Sequence, residues 1–209
     1  EGKLILTLTL WLSLATICVL GAMSPGPSLA VVVRNTLAGG RRQGLATAIA
    51  HGVGVAIWAL LTATGLSLLM ISQPKLNEIL PWLGAGVLVY LGGRYLFARS
   101  YVADTLATDE TVRNEGMTGI REGFFIAFMN PKLALFFLAL FSQFVDPHAP
   151  WQETAIITAT AGGIDVTWYI IVALVLSHSA VLGRLRRYAH VLDRVFGIIL
   201  IALAIRVVI

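Results

Sequence analysis

Long apolar runs, almost free of charge, alternate along this chain with short polar segments. Residues 4–33, 43–74 and 79–93 contain no Asp, Glu, Lys or Arg. A helix needs about 20 predominantly apolar residues to cross the hydrocarbon core of a bilayer. The pattern therefore predicts an all-α polytopic membrane protein with six transmembrane helices. The predicted spans lie near residues 8–36, 43–71, 78–98, 120–145, 153–178 and 189–209.

Composition agrees with a chain that has the lipid bilayer as its main partner. Of the 209 residues, 57% are hydrophobic and 12% are charged, whereas soluble domains carry roughly 25% charged residues. This excludes a disordered chain and a nucleic-acid-binding arm, so no nucleic-acid partner is expected. The single cysteine, Cys18, excludes a scaffold of internal disulfides.

The distribution of Lys and Arg predicts the orientation in the membrane. Eleven of the 15 basic residues fall on one side of the predicted spans, three fall on the other, and Lys132 lies within a span. Cytoplasmic loops carry the excess of Lys and Arg. The arginine-rich side is therefore predicted to be cytoplasmic, and both termini are predicted to lie on the outer face.

The six spans divide into two groups of three. Residues 1–98 form the first predicted three-helix repeat, residues 99–119 a polar cytoplasmic linker, and residues 120–209 the second repeat. Because three is odd, the two repeats have opposite orientations. A weak similarity supports the duplication: Gly52 precedes Trp58 by six residues, as Gly162 precedes Trp168. The alternative is chance similarity among apolar helices.

Proline motifs interrupt the first helix of each repeat. Span 1 contains Ser24-Pro25-Gly26-Pro27 and span 4 contains Asn130-Pro131-Lys132. Proline removes a backbone N–H and clashes with the preceding turn, but it suits the first turn of a new helix. Each motif therefore predicts two half-helices meeting near mid-membrane, the second capped by Asn130. Interrupted helices at matching positions indicate the binding site of a transporter. The alternative is a pair of kinks that only shape packing.

The half-helix N-termini carry partial positive charge and unpaired N–H groups, which together favour an anion. Three ionisable residues also fall inside spans: His51, Lys132 and Asp165. Buried membrane charges are costly and normally paired or functional. We therefore expect a Lys132–Asp165 pair from which Asp165 can turn to a ligand's ammonium group; the alternative is a purely structural pair. His51 is either a satisfied polar histidine or a proton relay.

Enzyme and metal signatures are missing from the sequence. It contains no G-x-S-x-G, H-E-x-x-H or P-loop motif, and no two histidines have the spacing of metal ligands. We expect no enzymatic activity, no cofactor and no bound metal. Small-residue surfaces such as Gly84-x-Gly86 and Gly92-Gly93 permit close helix packing within the chain or in a homodimer.

The proline motifs and their neighbours resemble those of LysE/RhtB-type amino-acid exporters. The matching segments are Gly21-Ala22-Met23-Ser24-Pro25-Gly26-Pro27, Arg41 with Gln43-Gly44, Gly119 with Gly123-Phe124, and Asn130-Pro131-Lys132. The resemblance implies a six-span protein of the bacterial inner membrane. It also implies export of an amino acid or derivative from the cytoplasm, coupled to the proton gradient.

The expected site follows from the breaks. The substrate carboxylate would lie at the half-helix N-termini, and the ammonium group would meet Asp165 or the carbonyls freed at the first break. The alternative is a cation (heavy-metal) exporter or channel of the same fold, with Asp165 and these carbonyls as hard oxygen ligands. An accessory membrane subunit or enzyme is the third class. The predicted substrate-binding residues are Ser24, Pro25, Gly26, Pro27, Asn130, Pro131, Lys132 and Asp165.

Overall fold

A computed structural model describes residues 7–24, 26–73, 75–97, 118–175 and 179–208. Within these ranges the regular secondary structure is entirely α-helical. Pro25 and residues 99–117 of the predicted linker lie outside the described part of the chain. The seven described helices are α1 (Leu8–Met23), α2 (Pro27–Ser72), α3 (Leu76–Phe97), α4 (Thr118–Phe128), α5 (Pro131–Phe144), α6 (Trp151–Val175) and α7 (Ser179–Val208).

The helices identify a polytopic membrane protein. In the described residues, α2, α3 and α6 are long and apolar enough to cross a bilayer. A fourth span is formed if α4 and α5, which bend by 51° at their junction, are counted as one. The 16 residues of α1 are apolar but shorter than a bilayer requires. The prediction of an all-α polytopic membrane protein is therefore confirmed.

Helix α2 bends sharply where the sequence predicted a loop between two spans. Its 46 residues would extend roughly 69 Å at 1.5 Å per residue, more than twice the hydrocarbon thickness of a bilayer. The helix breaks at Gly40, whose φ of 71° lies in the region that favours glycine. We call residues 27–39 and 41–72 the first and second arms of α2.

Both predicted helix breaks are present, and proline starts a helix at each. Pro27 is the first residue of α2, after Gly26 in extended conformation. Pro131 is the first residue of α5, and the Asn130 side chain accepts a hydrogen bond of 3.0 Å from the Lys132 N–H. The breaks and the Asn130 cap are therefore confirmed.

Packing is organised around α2 and α3. Helix α2 lies against α4 and α6, and α3 lies against α7 and α5. One buried cluster joins α1, α3, α5 and α7 around Leu14, Leu88, Phe141 and Leu200. A smaller cluster around Leu29 joins both arms of α2 to α6. Many large apolar side chains elsewhere are exposed, as expected of helices that face lipid.

Two pairs of glycines make reciprocal backbone contacts. A Cβ atom on Gly52 would lie 3.2 Å from the Gly162 carbonyl oxygen, and one on Gly162 would lie 3.3 Å from the Gly52 oxygen. The same exchange, at 2.7 Å in both directions, occurs between Gly92 and Gly197. Helices α2 and α6, and separately α3 and α7, therefore approach each other through glycines whose contacts are equivalent on the two sides.

Candidate functional site

A narrow cavity lies where the two helix breaks meet. Ser24, Gly26 and Ser28 line it from the first break, while Asn130 and Lys132 line it from the second. It leaves about 40 Å³ for the centres of water molecules, enough for a few waters. In this conformation the cavity is thus a small polar chamber at the start of α2 and α5. Its other lining residues include Cys18, His51, Val55, Tyr95, Leu133, Phe136, Phe137, Asp165, Tyr169 and Phe196.

The Lys132 side chain connects the second break to the first. Its Nζ lies 3.5 Å from the Ser24 Oγ and 4.5 Å from the centre of the Tyr95 ring, where an ammonium group is attracted by the aromatic face. A Cβ on Gly26 would lie 3.3 Å from the same Nζ. Glycine at position 26 therefore leaves room for the lysine head group beside the first break.

Asp193 provides negative charge near Lys132. Its Oδ1 accepts a hydrogen bond of 3.2 Å from the Ser24 Oγ, and Asp193 is only 7% exposed. A buried charge is strongly destabilising without a partner. Ser24 thus bridges a half-buried cation on α5 and a buried carboxylate on α7.

A second buried pair lies on α2 and α6. The His51 Nδ1 lies 2.6 Å from the Asp165 Oδ2, and the two side chains are 1% and 8% exposed. The Tyr169 ring meets the imidazole edge to face at 4.7 Å. The His51 Nε2 is buried and has no hydrogen-bond partner within the described residues. One imidazole nitrogen is therefore fixed by a carboxylate while the other is left unpaired.

The Trp58 side chain forms a hydrogen bond with the backbone at the C-terminal end of α4. Its Nε1 donates a hydrogen bond of 2.9 Å to the Phe128 carbonyl oxygen, one of the carbonyls that lose an intrahelical partner at a helix C-terminus. Together with the Asn130 cap, this bond satisfies backbone groups on both sides of the second break. The break is therefore held open by specific side-chain contacts.

A polar cluster joins both arms of α2 to α4 at some distance from the break. Arg34 and Glu122 form an ion pair of 2.5 Å. The Asn35 Nδ2 donates to Glu122 at 2.9 Å and to the Thr47 Oγ1 at 3.0 Å. We call these four residues the Arg34 cluster. It lies toward the ends of the helices that the sequence predicts to be cytoplasmic.

The structure gathers most of the predicted site residues but changes their pairing. Seven predicted residues line the cavity, Pro131 starts the adjoining helix, and Pro25 lies outside the described residues. The predicted Lys132–Asp165 pair is wrong: Asp165 lies against His51, and Lys132 lies against Ser24 and Tyr95. The seven are Ser24, Gly26, Pro27, His51, Asn130, Lys132 and Asp165.

Sequence reasoning missed Asp193, which it placed at the start of the last span. Helix α7 instead begins at Ser179, so Asp193 lies 14 residues, or roughly 21 Å, along the helix. Asp193 is therefore not at the end of a helix, and its side chain is buried against Ser24 at the first break. The available signal was that Asp193 is the only acidic residue between 189 and 209.

Comparison with known proteins identifies the class as a LysE type translocator. The family profile matches residues 19–209, so the chain belongs to this family. The leucine efflux protein of Salmonella typhimurium is 30% identical over 185 residues, covering 87% of this chain and 86% of that protein. The uncharacterized membrane protein YrhP of Bacillus subtilis is 23% identical over 189 residues, covering 87% and 90%. No solved structure matches the chain.

Family membership confirms two of the expectations. The predicted resemblance to LysE-type exporters is correct. The family consists of transporters, so the protein is a multi-pass membrane transporter and not an enzyme.

Proposed function

We propose that this protein exports a neutral, aliphatic amino acid or a close derivative from the cytoplasm, driven by the proton gradient. One observation carries the proposal: a single cavity brings together the N-termini of two broken helices, the half-buried ammonium group of Lys132 and the buried carboxylate of Asp165. These are the complementary charges that an α-amino acid requires. The relative named for leucine efflux supports amino-acid export in general.

The carboxylate of the substrate would bind near Lys132. The first turns of α2 and α5 start next to the cavity, at Pro27 and Pro131, and helix N-termini attract anions through their N–H groups and dipoles. The Lys132 Nζ lies 3.5 Å from the Ser24 hydroxyl oxygen and 4.5 Å from the centre of the Tyr95 ring. A carboxylate would offer it a shorter, charge-assisted hydrogen bond.

The ammonium group of the substrate would bind Asp165 once His51 releases it. Backbone carbonyls at the first break, near Ser24, would supply further acceptors. Apolar side chains on the cavity wall, among them Val55, Leu133 and Phe136, suit an aliphatic substrate side chain. The cavity is too small for such a substrate in this conformation, so the helices must separate to admit it.

The architecture we propose is two inverted three-helix repeats, residues 1–98 and 120–209, joined by the linker 99–119. In this arrangement α1 with the first arm of α2, and α4 with α5, are matching broken spans. The reciprocal contacts of Gly52 with Gly162 and of Gly92 with Gly197 are what a two-fold axis between repeats would produce. Rocking of one repeat against the other would expose the site alternately, with both chain termini on the outer face of the inner membrane.

The alternative of a heavy-metal exporter gains no support from the geometry. Among the described residues, no group of three or more His, Cys, Asp and Glu side chains is placed to hold a metal ion. The cavity also contains Lys132, whose charge repels a cation. Cadmium therefore enters the test as a competing substrate.

Transport by purified protein in liposomes tests this function. We expect exchange of labelled leucine across the membrane, with much weaker exchange of labelled lysine and no transport of Cd²⁺. Lys132→Gln should weaken the apparent affinity for leucine roughly 10- to 100-fold, since a hydrogen bond to a charged group contributes about 1.5–3 kcal/mol. The matched control is Lys75→Gln, because Lys75 is exposed outside the helices.

The outcomes separate the classes of function. Transport of Cd²⁺ without any amino acid would replace this proposal with the cation exporter. Absence of transport for every solute in folded protein would favour an accessory subunit. Equal effects of Lys132→Gln and Lys75→Gln would remove Lys132 from the binding site.

A further inference from the structure

We propose that His51 and Asp165 form the coupling site of the transporter, at which one proton and the ammonium group of the substrate exclude each other. This inference rests on the proposed function of amino-acid export. In this conformation Asp165 is bound by His51, which is the arrangement of the proton-loaded state in the proposed cycle. Substrate binding would break this contact.

The first argument is the burial of the carboxylate. Asp165 lies in the middle of α6 and its side chain is 8% exposed, so its charge must be balanced within the protein. Within the described residues, the other ionisable side chains on the cavity wall are Cys18, Tyr95, Tyr169 and Lys132, besides the pair itself. The thiol and the two phenols carry no positive charge, and Lys132 lies against Ser24 and Tyr95.

Protonated His51 is therefore the group that balances Asp165 in the empty site. A contact of 2.6 Å between Nδ1 and Oδ2 is at the short end for a charge-assisted hydrogen bond. Histidine is the side chain whose protonation changes most readily near neutral pH. Asp193, the other buried carboxylate near the cavity, faces Ser24 on α1 and is balanced by Lys132 rather than by His51.

The second argument is the unpaired nitrogen of His51. Its Nε2 is buried without a hydrogen-bond partner in the described part of the chain, which is costly unless the site serves a purpose. The imidazole lines the cavity. In the proton-loaded state Nδ1 donates to the Asp165 carboxylate and the Nε2 N–H has no acceptor among the described residues, so His51 can give up one proton when the ammonium group of the substrate takes its place.

The exchange balances in charge. When the substrate ammonium replaces the imidazolium at Asp165, His51 returns one proton to solvent and becomes neutral, while Asp165 stays ionised. When His51 is protonated again, it recovers Asp165 and displaces the ammonium. Each cycle therefore moves one amino acid outward and one proton inward. For a zwitterionic substrate, one net positive charge enters per cycle, so export responds to membrane voltage as well as to the pH gradient.

Two transport assays on the same proteoliposomes test this coupling. We expect wild-type protein to perform both leucine exchange at equal pH and leucine accumulation driven by an imposed pH gradient. In His51→Gln the amide N–H can still donate to Asp165, but the amide cannot take up and release a proton. Exchange should therefore persist, while gradient-driven accumulation should fall to the level of protein-free liposomes. Asp165→Asn should lose both. His148→Gln, in an exposed loop, is the matched control and should retain both.

Proton release on binding gives a second readout that does not depend on transport. In weakly buffered detergent solution near neutral pH, adding leucine to wild-type protein should release one proton per amino acid bound, and adding it to folded His51→Gln should release none. If wild-type protein neither binds nor transports any amino acid, the proposed function fails. If it does transport leucine, but His51→Gln still accumulates leucine along a pH gradient or releases protons as wild type does, the coupling site is elsewhere.

Discussion

Replacing Gly92 with alanine measures how strongly this fold depends on the close approach of α3 and α7. A Cβ at this position would lie 2.7 Å from the Gly197 carbonyl oxygen, whereas ordinary contacts begin near 3.4 Å. The two helices would have to separate by about 0.7 Å, the difference between these distances. Because the obstacle is backbone, no side-chain rotation relieves it.

The neighbouring glycine supplies the matched control. A Cβ on Gly93 would have no atom within 4 Å, so Gly93→Ala adds a methyl group to the same helix without a clash. Alanine gains up to about 1 kcal/mol of helix propensity over glycine in both variants, and this gain cancels in the comparison. The remaining difference is the cost of overpacking, about 1–3 kcal/mol. Gly92→Ala should be the less stable variant by that amount.

The single cysteine provides the assay. Cys18 is free and buried, so a dye that becomes fluorescent on reaction with thiols reports unfolding during heating in detergent. We expect a lower Tm for Gly92→Ala than for Gly93→Ala, and the same order for Gly162→Ala against Gly163→Ala, whose added Cβ atoms are crowded and open respectively. Equal Tm values within each pair would refute the close helix contacts.

Three further predictions concern the break, the Arg34 cluster and the orientation. Asn130→Ala should lower stability by about 1 kcal/mol through loss of the helix cap, measured as a shift in Tm, whereas Asn130→Asp should retain most of it. We expect the Arg34 cluster to close the cytoplasmic side of the cavity, because its ion pair ties α2 to α4. Arg34→Gln should therefore expose engineered cysteines near the cavity to membrane-impermeant thiol reagents from the cytoplasmic side, and Arg34→Glu with Glu122→Arg should restore protection; unchanged labelling in Arg34→Gln would contradict this role. In a cysteine-free background, a cysteine at His148 should react with such reagents outside intact cells and one at Arg41 should not; labelling at Arg41 would overturn the predicted orientation.

Local chemistry explains what could be predicted about the helices. Apolar runs long enough to cross a bilayer predict spanning helices, because lipid offers backbone groups no hydrogen-bond partner. Proline acts within a single turn, so the starts of α2 at Pro27 and of α5 at Pro131 are visible in the sequence alone. The Asn130 cap spans only two residues and was predictable for the same reason.

The boundaries that failed depend on packing. The predicted loop between the first two spans is instead a bend at Gly40 within α2, since a helix can turn at one glycine without losing its hydrogen bonds elsewhere. The last helix begins at Ser179, ten residues before the predicted span at 189. Charged residues between 179 and 189 kept this segment out of the predicted span, because a hydropathy pattern indicates contact with lipid and not helical conformation.

The sequence by itself determined the class of protein, the two breaks and the residue types that could form a site, because each depends on the composition of a short segment. Only the tertiary structure decided which charges meet. His51 and Asp165 are separated by 114 residues, and Ser24 and Asp193 by 169. Those pairs exist because α2 crosses α6 through small residues and α7 reaches the first break. The spacing of residues along the sequence does not show which side chains are close in the folded protein. The predicted pair of Lys132 with Asp165 is therefore replaced by two separate contacts, Asp165 with His51 and Lys132 with Ser24.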